Sequence, residues 1–562
     1  MSTIISDTSA AKKSSISIER WSTVAALVVG TFVVLTTLYG VHRFYSPVPW
    51  WDEWDGYVGF YMAATNGMGF HAWWWPHMEH RIVTSRLLFW LDLRYFGGSH
   101  ILLFAAQQAM LAGIVALIVN TARRAGASFA WTIGVVAALM FAWVQSEVLT
   151  WGFETGVIAV YFFLAWALVE FTCAESSAVR RFVAGFLLAA CAEFSMGNGI
   201  AAPFALMIAA IVGRRPLREI AMSAVLSVAL ASIYFIGYVK PQVDEPHIVG
   251  SPLLHHLGFF AAFLGNPLAM LGASESACAA AGLVVAIAIV FLACRLYLSR
   301  SVTPYRALLI GICAFVIASD LAADYGRGAA TAGAALASRY TTGTLLAWVA
   351  VLLLAIDSLP KARHQVMMLG VLVAASMATS QARVLDSNAY LYGWKLGVLS
   401  TKIGLEHTEY SGMIFPAKPE SVHERFERYA AYSAQHDLGI YQREWLRDAG
   451  TVKFDASKVG GSCQGFFDRL KQDNVGLEAS GWASSPYLRD TLIVLTDGNG
   501  DTIGYGVTGQ QRLDVRQAVP GAGDSAGWVG FAQRTAGPVR AYAYTGGRFC
   551  PLKDSSTLAA QP

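Results

Sequence analysis

Residues 21–41 read WSTVAALVVGTFVVLTTLYGV, without one charged side chain. At 1.5 Å per residue a helical run of this length crosses the roughly 30 Å apolar layer of a bilayer, which needs about 20 residues. Ahead of it lies a polar stretch carrying Lys12, Lys13 and Arg20, and no A-x-A site follows it. The run also exceeds the h-region of roughly 7 to 15 residues found in cleavable signals. It therefore predicts an uncleaved first helix, with residues 1–21 as a cytoplasmic segment. Working outward, comparable runs predict spans near 22–42, 101–120, 129–147, 156–174, 181–196, 199–213, 219–238, 276–297, 304–321, 341–357 and 364–381. The fifth and sixth are short, joined by Ser195–Gly199, and read equally well as one broken hairpin.

Composition agrees. Hydrophobic residues make up 55% and charged residues 14% of the chain, against roughly 25% charged in soluble domains. Polar residues dominate only after about residue 385. The expected fold class is thus a polytopic α-helical membrane protein of about 11 transmembrane helices over residues 22–384. A C-terminal extracytoplasmic mixed α/β-sandwich domain follows over 385–562, β-rich from about 452. Net charge is +3, too small to imply a nucleic-acid partner; the lipid bilayer is the partner that hydropathy demands.

Basic residues set the orientation. With the N-terminus cytoplasmic, the inward connections carry Arg123 and Arg124, Arg180 and Arg181, Arg214, Arg215 and Arg218, Arg300 with Arg306, and Lys361 with Arg363. Every one is basic. An odd span count then places the tail outside, in the periplasm of a bacterium whose inner membrane holds the multi-pass domain. Of seven cysteines, Cys173, Cys191, Cys278, Cys294 and Cys313 fall in apolar runs as packing residues. In an oxidising compartment Cys463 and Cys550 would form a disulfide.

The outward connections are rich in Trp, acids and His. Trp50-Trp51-Asp52-Glu53-Trp54-Asp55 follows the first span within about ten residues. An aromatic belt accounts for tryptophans at headgroup depth, yet it leaves three carboxylates at the mouth of a membrane helix unexplained. Burial raises a carboxylate's pKa, which is how a general base is tuned, and aromatic faces stack on sugar rings. Glu79-His80-Arg81 forms a second polar cluster, for which a surface ion pair with a snorkelling Arg is the plain alternative. Glu147 and Glu154 are the acids of the next outward loop. Asp320, Asp324, Arg327, Arg339 and Tyr340 flank a run of small residues, and Arg339 runs against the positive-inside pattern. A planar guanidinium binds two phosphate oxygens at once.

An apolar helix, an acidic Asp-Glu pair opening a long outward loop, and a juxtamembrane helix over Ile82–Phe96 resemble the GT-C glycosyltransferase superfamily. That group includes protein O-mannosyltransferases, aminoarabinose transferases and bacterial oligosaccharyltransferases. In organisation the resemblance covers residues 22–381; in motif it covers the first loop only. It implies an inverting glycosyltransferase taking a polyprenyl-phosphate sugar donor and a glycan, lipid or protein acceptor. It assigns the catalytic base to Asp52 with Glu53 beside it, and the lipid phosphate to Arg339 and Arg327. Asp55, Glu79, His80, Arg81, Glu147, Glu154 and Tyr340 are the expected substrate-binding residues around them. Should the reaction need a divalent cation, Mg2+ or Mn2+, Asp52 and Glu53 are the pair expected to hold it.

The tail gives strand and turn signals. Glu420–Tyr432 reads as a helix, Thr491–Leu495 and Val539–Tyr544 as strands, and Asp497-Gly498-Asn499-Gly500 as a hairpin turn. Trp482 and Trp528 read as core. Two rival functions stay open at this point. A transporter or flippase would carry ionisable residues deep in its spans, where Glu193 is one of few. A non-catalytic polysaccharide-assembly protein would act through the tail.

Overall fold

The computed structural model describes residues 2–239, 252–326, 332–460, 463–484 and 490–554. The chain divides into two compact units. One comprises residues 1–45, 73–88 and 102–386; the other comprises residues 46–72, 89–101 and 387–562.

The first unit is a helical bundle. Among the described residues ten stretches are long and apolar enough to cross a membrane: Glu19–Arg43, Ile101–Arg124, Phe129–Thr150, Gly152–Thr172, Leu217–Tyr234, Leu253–Leu271, Glu275–Leu298, Pro304–Gly326, Ser338–Ser358 and Pro360–Leu385. Nine coincide with expected spans. The expected fifth and sixth are instead short helices, Ala178–Glu193 and Ala202–Val212, broken by a 3-10 turn at Gly197–Ala201. Sixteen residues rise only about 24 Å, too little to cross alone. The tenth stretch, Leu253–Leu271, covers the apolar run after residue 252. Both its ends are tied to one end of the bundle, His256 to Asp324 and Asn266 to the carbonyls of Ala335 and Ala337.

Burial explains the arrangement. Most residues of Ser338–Ser358 are buried and it forms the centre, whereas few residues of Leu217–Tyr234 are buried and it lies at the rim. The first helix is two-faced. Val24, Val28, Phe32, Leu35 and Leu38 are exposed at three- and four-residue spacing, while Ala26, Val33 and Thr37 are buried. An apolar exposed stripe this long belongs against lipid. On the inner stripe Gly30 meets Gly134, and a Cβ on either would strike the other helix's backbone. Small residues are what let membrane helices pack closely.

The basic connections gather at one end of this bundle. Arg306 pairs with Asp357 at 2.5 Å and Arg181 with Glu219 at 3.7 Å. Arg214 donates to the Tyr297 carbonyl at 2.7 Å, and Arg363 lies 3.9 Å from Glu19.

In the second unit, eight strands are hydrogen-bonded into one sheet: β1 Gln464–Gln472, β2 Leu477–Ser484, β3 Leu492–Thr496, β4 Thr502–Gln510, β5 Gly527–Ala532, β6 Arg540–Thr545, β7 Arg548–Pro551 and β8 Lys553–Asp554. Their order is β7-β6-β3-β4-β5-β2-β1-β8, antiparallel except for β1 with β8. The expected sandwich is therefore a single rolled sheet. Its two edges are β7 and β8, which Leu552 alone separates in sequence, so the chain steps from one edge to the other. Rolling encloses Phe467, Leu477, Ile493, Leu495, Trp528 and Ala541 in one core. Cys463, just before β1, forms a disulfide with Cys550 of β7, Cα to Cα 6.1 Å. The expected hairpin turn joins β3 to β4, where the Asp497 carboxylate accepts from the amides of Asn499 and Asp501 at 2.9 Å each. The helix Glu420–Gln435 confirms the expected one.

Gly134→Val should lower the melting temperature of the detergent-solubilised protein, by an overpacking cost of about 1–3 kcal/mol. Val28→Leu, on the exposed stripe, should leave it unchanged; thermal denaturation of both variants measures the difference.

Candidate functional site

The acid pair opens a helix in the second unit. Trp50 caps it: the Glu53 amide donates to the Trp50 carbonyl at 3.1 Å, and Glu53 Oε2 accepts from the Trp50 amide at 3.0 Å. This is the return arm of a capping box. Successive helical residues project about 100° apart, so the neighbouring acids separate. Asp52 is exposed, whereas Glu53 is 1% exposed.

Glu53 Oε1 lies 3.4 Å from Nε2 of His100, itself 2% exposed. Nδ1 of that ring is 3.1 Å from the Ser46 carbonyl. A carbonyl only accepts, so Nδ1 carries the hydrogen. Asp92, fully buried, accepts from Tyr57 Oη at 2.6 Å and from the His100 amide at 3.0 Å. Sequence reasoning passed over His100 and Asp92. The signal for Asp92 is an acid inside the apolar run Leu87–Phe96; His100 gives none, its backbone lying at φ +62°.

Around Asp52 the backbone is fixed. The Trp51 amide donates to the Ile414 carbonyl at 2.8 Å, Trp50 Nε1 donates to the Met413 carbonyl at 3.0 Å, and the Trp50 ring stacks on Trp394 at 5.7 Å. Trp51 sits at φ +48°, a region costly for a bulky side chain, and is 43% exposed. The helix continues as a π-turn, Trp54–Gly59, a feature often found at functional sites. Trp54 is core, edge-on to Phe426 at 5.0 Å. Asp55 accepts from Tyr429 Oη at 3.1 Å and lies 3.7 Å from Arg425. Burial and that carboxylate push the Tyr429 hydroxyl up to about 12. The same helix leads to a polar cleft of about 570 Å³ lined by Tyr61, Thr65, Arg94, Tyr432, His436 and Gln442.

Asp52 and Glu53 do not fit the expected divalent cation. One is at the surface, and the other is committed to Trp50 and His100. Among the described residues the ligand atoms that gather within 4.8 Å of one another belong to Glu406, His423 and Glu427.

The remaining expected residues lie in the first unit. Arg81 is fully buried and donates to the carbonyls of Trp74, Tyr234 and Ile236, over the Trp74 ring at 4.5 Å. It caps the carboxyl end of Leu217–Tyr234, as cations do; its role is architectural, not the expected substrate contact. Glu79 and His80 pair at 3.4 Å. His77, in the same short segment, is pushed down to about 3 by burial and by the charges of Arg86 and His80. Arg339 pairs with Glu147 at 3.2 Å and feels the charge of buried Glu154, while Tyr340 packs on Phe263 at 5.2 Å. So Arg339, Glu147, Glu154 and Tyr340 do come together. Arg327 lies outside the described residues.

No protein-family model, curated protein or solved structure matches this chain.

Glu53→Ala and His100→Ala should each destabilise the fold by about 3–5 kcal/mol, the cost of stranding one member of a buried pair, while Asp52→Asn should stay within about 0.5 kcal/mol of the parent. Chemical denaturation compares the three. The depressed His77 means the unfolded chain binds a proton there below about 6.5 and the folded chain only near 3. Its contribution is therefore present above 6.5 and lost as pH falls towards 3. His77→Gln should flatten that part of the melting temperature against pH curve.

Proposed function

We propose that this chain is a membrane glycosyltransferase that moves a sugar from a polyprenyl-phosphate donor to an acceptor hydroxyl on the extracytoplasmic face. What carries the proposal is the setting of Asp52: an exposed carboxylate on a rigid turn, beside an exposed tryptophan in a strained conformation, nine residues after the first apolar helix ends at Arg43. Strain held at one surface position suggests a constraint other than stability. An aromatic face with a carboxylate suits a sugar and a hydroxyl to be deprotonated, and the cleft lined by Tyr432 and His436 has the polarity of a glycan subsite.

In this reaction Asp52 takes the acceptor's hydroxyl proton as the oxygen bonds to the anomeric carbon. The bond from that carbon to the phosphate oxygen breaks, inverting the centre, and the lipid phosphate leaves with the charge. Glu53 and His100 hold the turn and do not touch substrate. The orientation with a cytoplasmic N-terminus, a periplasmic tail and an inner-membrane location is part of the same proposal. It is supported by the basic connections sharing one end of the bundle, as the positive-inside rule asks, and by the disulfide, which suits an oxidising compartment.

Loss of a general base costs roughly 10²–10⁴-fold. Asp52→Asn should reduce transfer by that factor in membranes supplied with a radiolabelled polyprenyl-phosphate sugar, with the protein still inserted at parental levels. Transfer at the parental rate by the inserted variant would remove Asp52 as the base.

A further inference from the structure

The helix Pro304–Gly326 carries two carboxylates one turn apart, Asp320 and Asp324, on a single face. Asp320 is fully buried, and among the described residues neither of its oxygens has a hydrogen-bond partner. It lies close enough to Asp324 to feel that charge. Asp324 Oδ2 lies 2.7 Å from Nδ1 of His256, and among the described residues its other, buried oxygen has no hydrogen-bond partner. The three side chains form a graded series: His256 is 45% exposed, Asp324 9%, and Asp320 is enclosed.

Among the described residues the surroundings supply little to neutralise a charge. The short helix Ala202–Val212 and the turn Gly197–Ala201, both packed against this one, carry no titratable side chain. Thr341–Ser358 carries Asp357, engaged with Arg306 at the far end. Thr155–Thr172 brings Tyr161, which takes the Asn198 amide at 3.4 Å, together with Glu170. Glu275–Leu298 brings Glu275, Cys278, Cys294, Arg295 and Tyr297, and Pro252–Gly265 adds His255 beside His256. A carboxylate without a partner inside a membrane protein is far less costly neutral than charged, and intramembrane acids mark ion and proton paths. The three do not gather their ligand atoms as a metal ion requires.

We propose that Asp320, Asp324 and His256 form a proton-binding relay in the membrane bundle, with Asp320 as the inner proton store and His256 as the exchanging group. His256 Nδ1 passes its proton to Asp324 Oδ2, leaving neutral imidazole and a carboxylic acid; Asp324 then passes a proton to Asp320, and the ring is reprotonated from outside. The relay is independent of the proposed glycosyl transfer.

The test is carbodiimide labelling of the full-length protein in nanodiscs with N,N′-dicyclohexylcarbodiimide. The reagent adds to a protonated carboxyl group in an apolar setting and gives a stable N-acylurea, located by peptide mass spectrometry. At neutral pH Asp320 should be labelled and Asp324 not. Labelling should fall about tenfold per pH unit above its midpoint, as the protonated fraction does. His256→Gln should expose Asp324 to the reagent as well, because its carboxylate loses the imidazole. An unlabelled Asp320 in the folded parent protein, or labelling that ignores pH, overturns the proton store. Equal labelling of Asp324 in the parent and in His256→Gln overturns the role of His256. Because the parent protein alone reports on Asp320, no variant needs to fold for that arm.

Discussion

Inside an apolar bundle every interrupted helix must find partners for the backbone groups it frees, and that constraint shapes the membrane unit. The stretch Phe129–Thr150 breaks after Met140 and re-forms at Ser146. Gln145 donates back to the Met140 carbonyl at 2.6 Å and accepts from Thr342 at 2.7 Å. Thr37 donates to the Phe141 carbonyl at 2.6 Å, and Ser338 to the Val144 carbonyl at 3.0 Å. Asn266 closes the knot, donating to Ala335 and Ala337 and accepting from Thr341. Buried amides are worth their desolvation only when nearly all their groups are used, as these are. The knot places Arg339 one residue from Ser338 and opposite Glu147, so the cation at this mouth is set by backbone economy before any ligand is considered.

The second unit divides two adjacent acids between different tasks. Had Asp52 and Glu53 both faced solvent, the turn would lack its cap; had both been buried, two charges would have needed compensation in one core. A helical start separates them, and His100 compensates the buried one. The same logic explains why the turn tolerates Trp51 at a positive φ. It is held by the Ile414 carbonyl in front and by the Glu53 cap behind, and such strain persists only where neighbours over-determine it.

Much of this was legible in the sequence because it follows from one-dimensional signals. Span positions rest on uninterrupted apolar length, the hairpin at Asp497–Gly500 on residues that accept its backbone angles, and the disulfide on two cysteines in the polar tail. Other features depend on tertiary partners and left little trace. The short helices Ala178–Glu193 and Ala202–Val212 look like spans by composition, and only their length and the intervening 3-10 turn separate them. The rolled sheet looks like a sandwich, because alternation along a strand reports which face is buried and not how far the sheet curls. Arg81 reads as a ligand group in sequence, since nothing local reveals three carbonyls waiting for it. His100 was invisible for the converse reason: its partner Glu53 lies 47 positions away.

Two kinds of carboxylate emerge, distinguished by what surrounds them. Glu53 and Asp92 are buried beside fixed polar partners, Trp50 and His100 for the one, Tyr57 and the His100 amide for the other, which makes them structural: their removal would leave a stranded group. Asp320 is buried and, among the described residues, has no hydrogen bond. Native cores rarely keep such a group without a reason, because an apolar residue of similar size would pack there at lower cost. A side chain that lowers stability where it sits has to be accounted for by what it does, and for an acid a turn away from an imidazole-bound neighbour the simplest act is to take up and release a proton. That places the chemistry of the bundle in the small difference between a carboxyl and a carboxylate, at a depth where the difference is amplified by the absence of water.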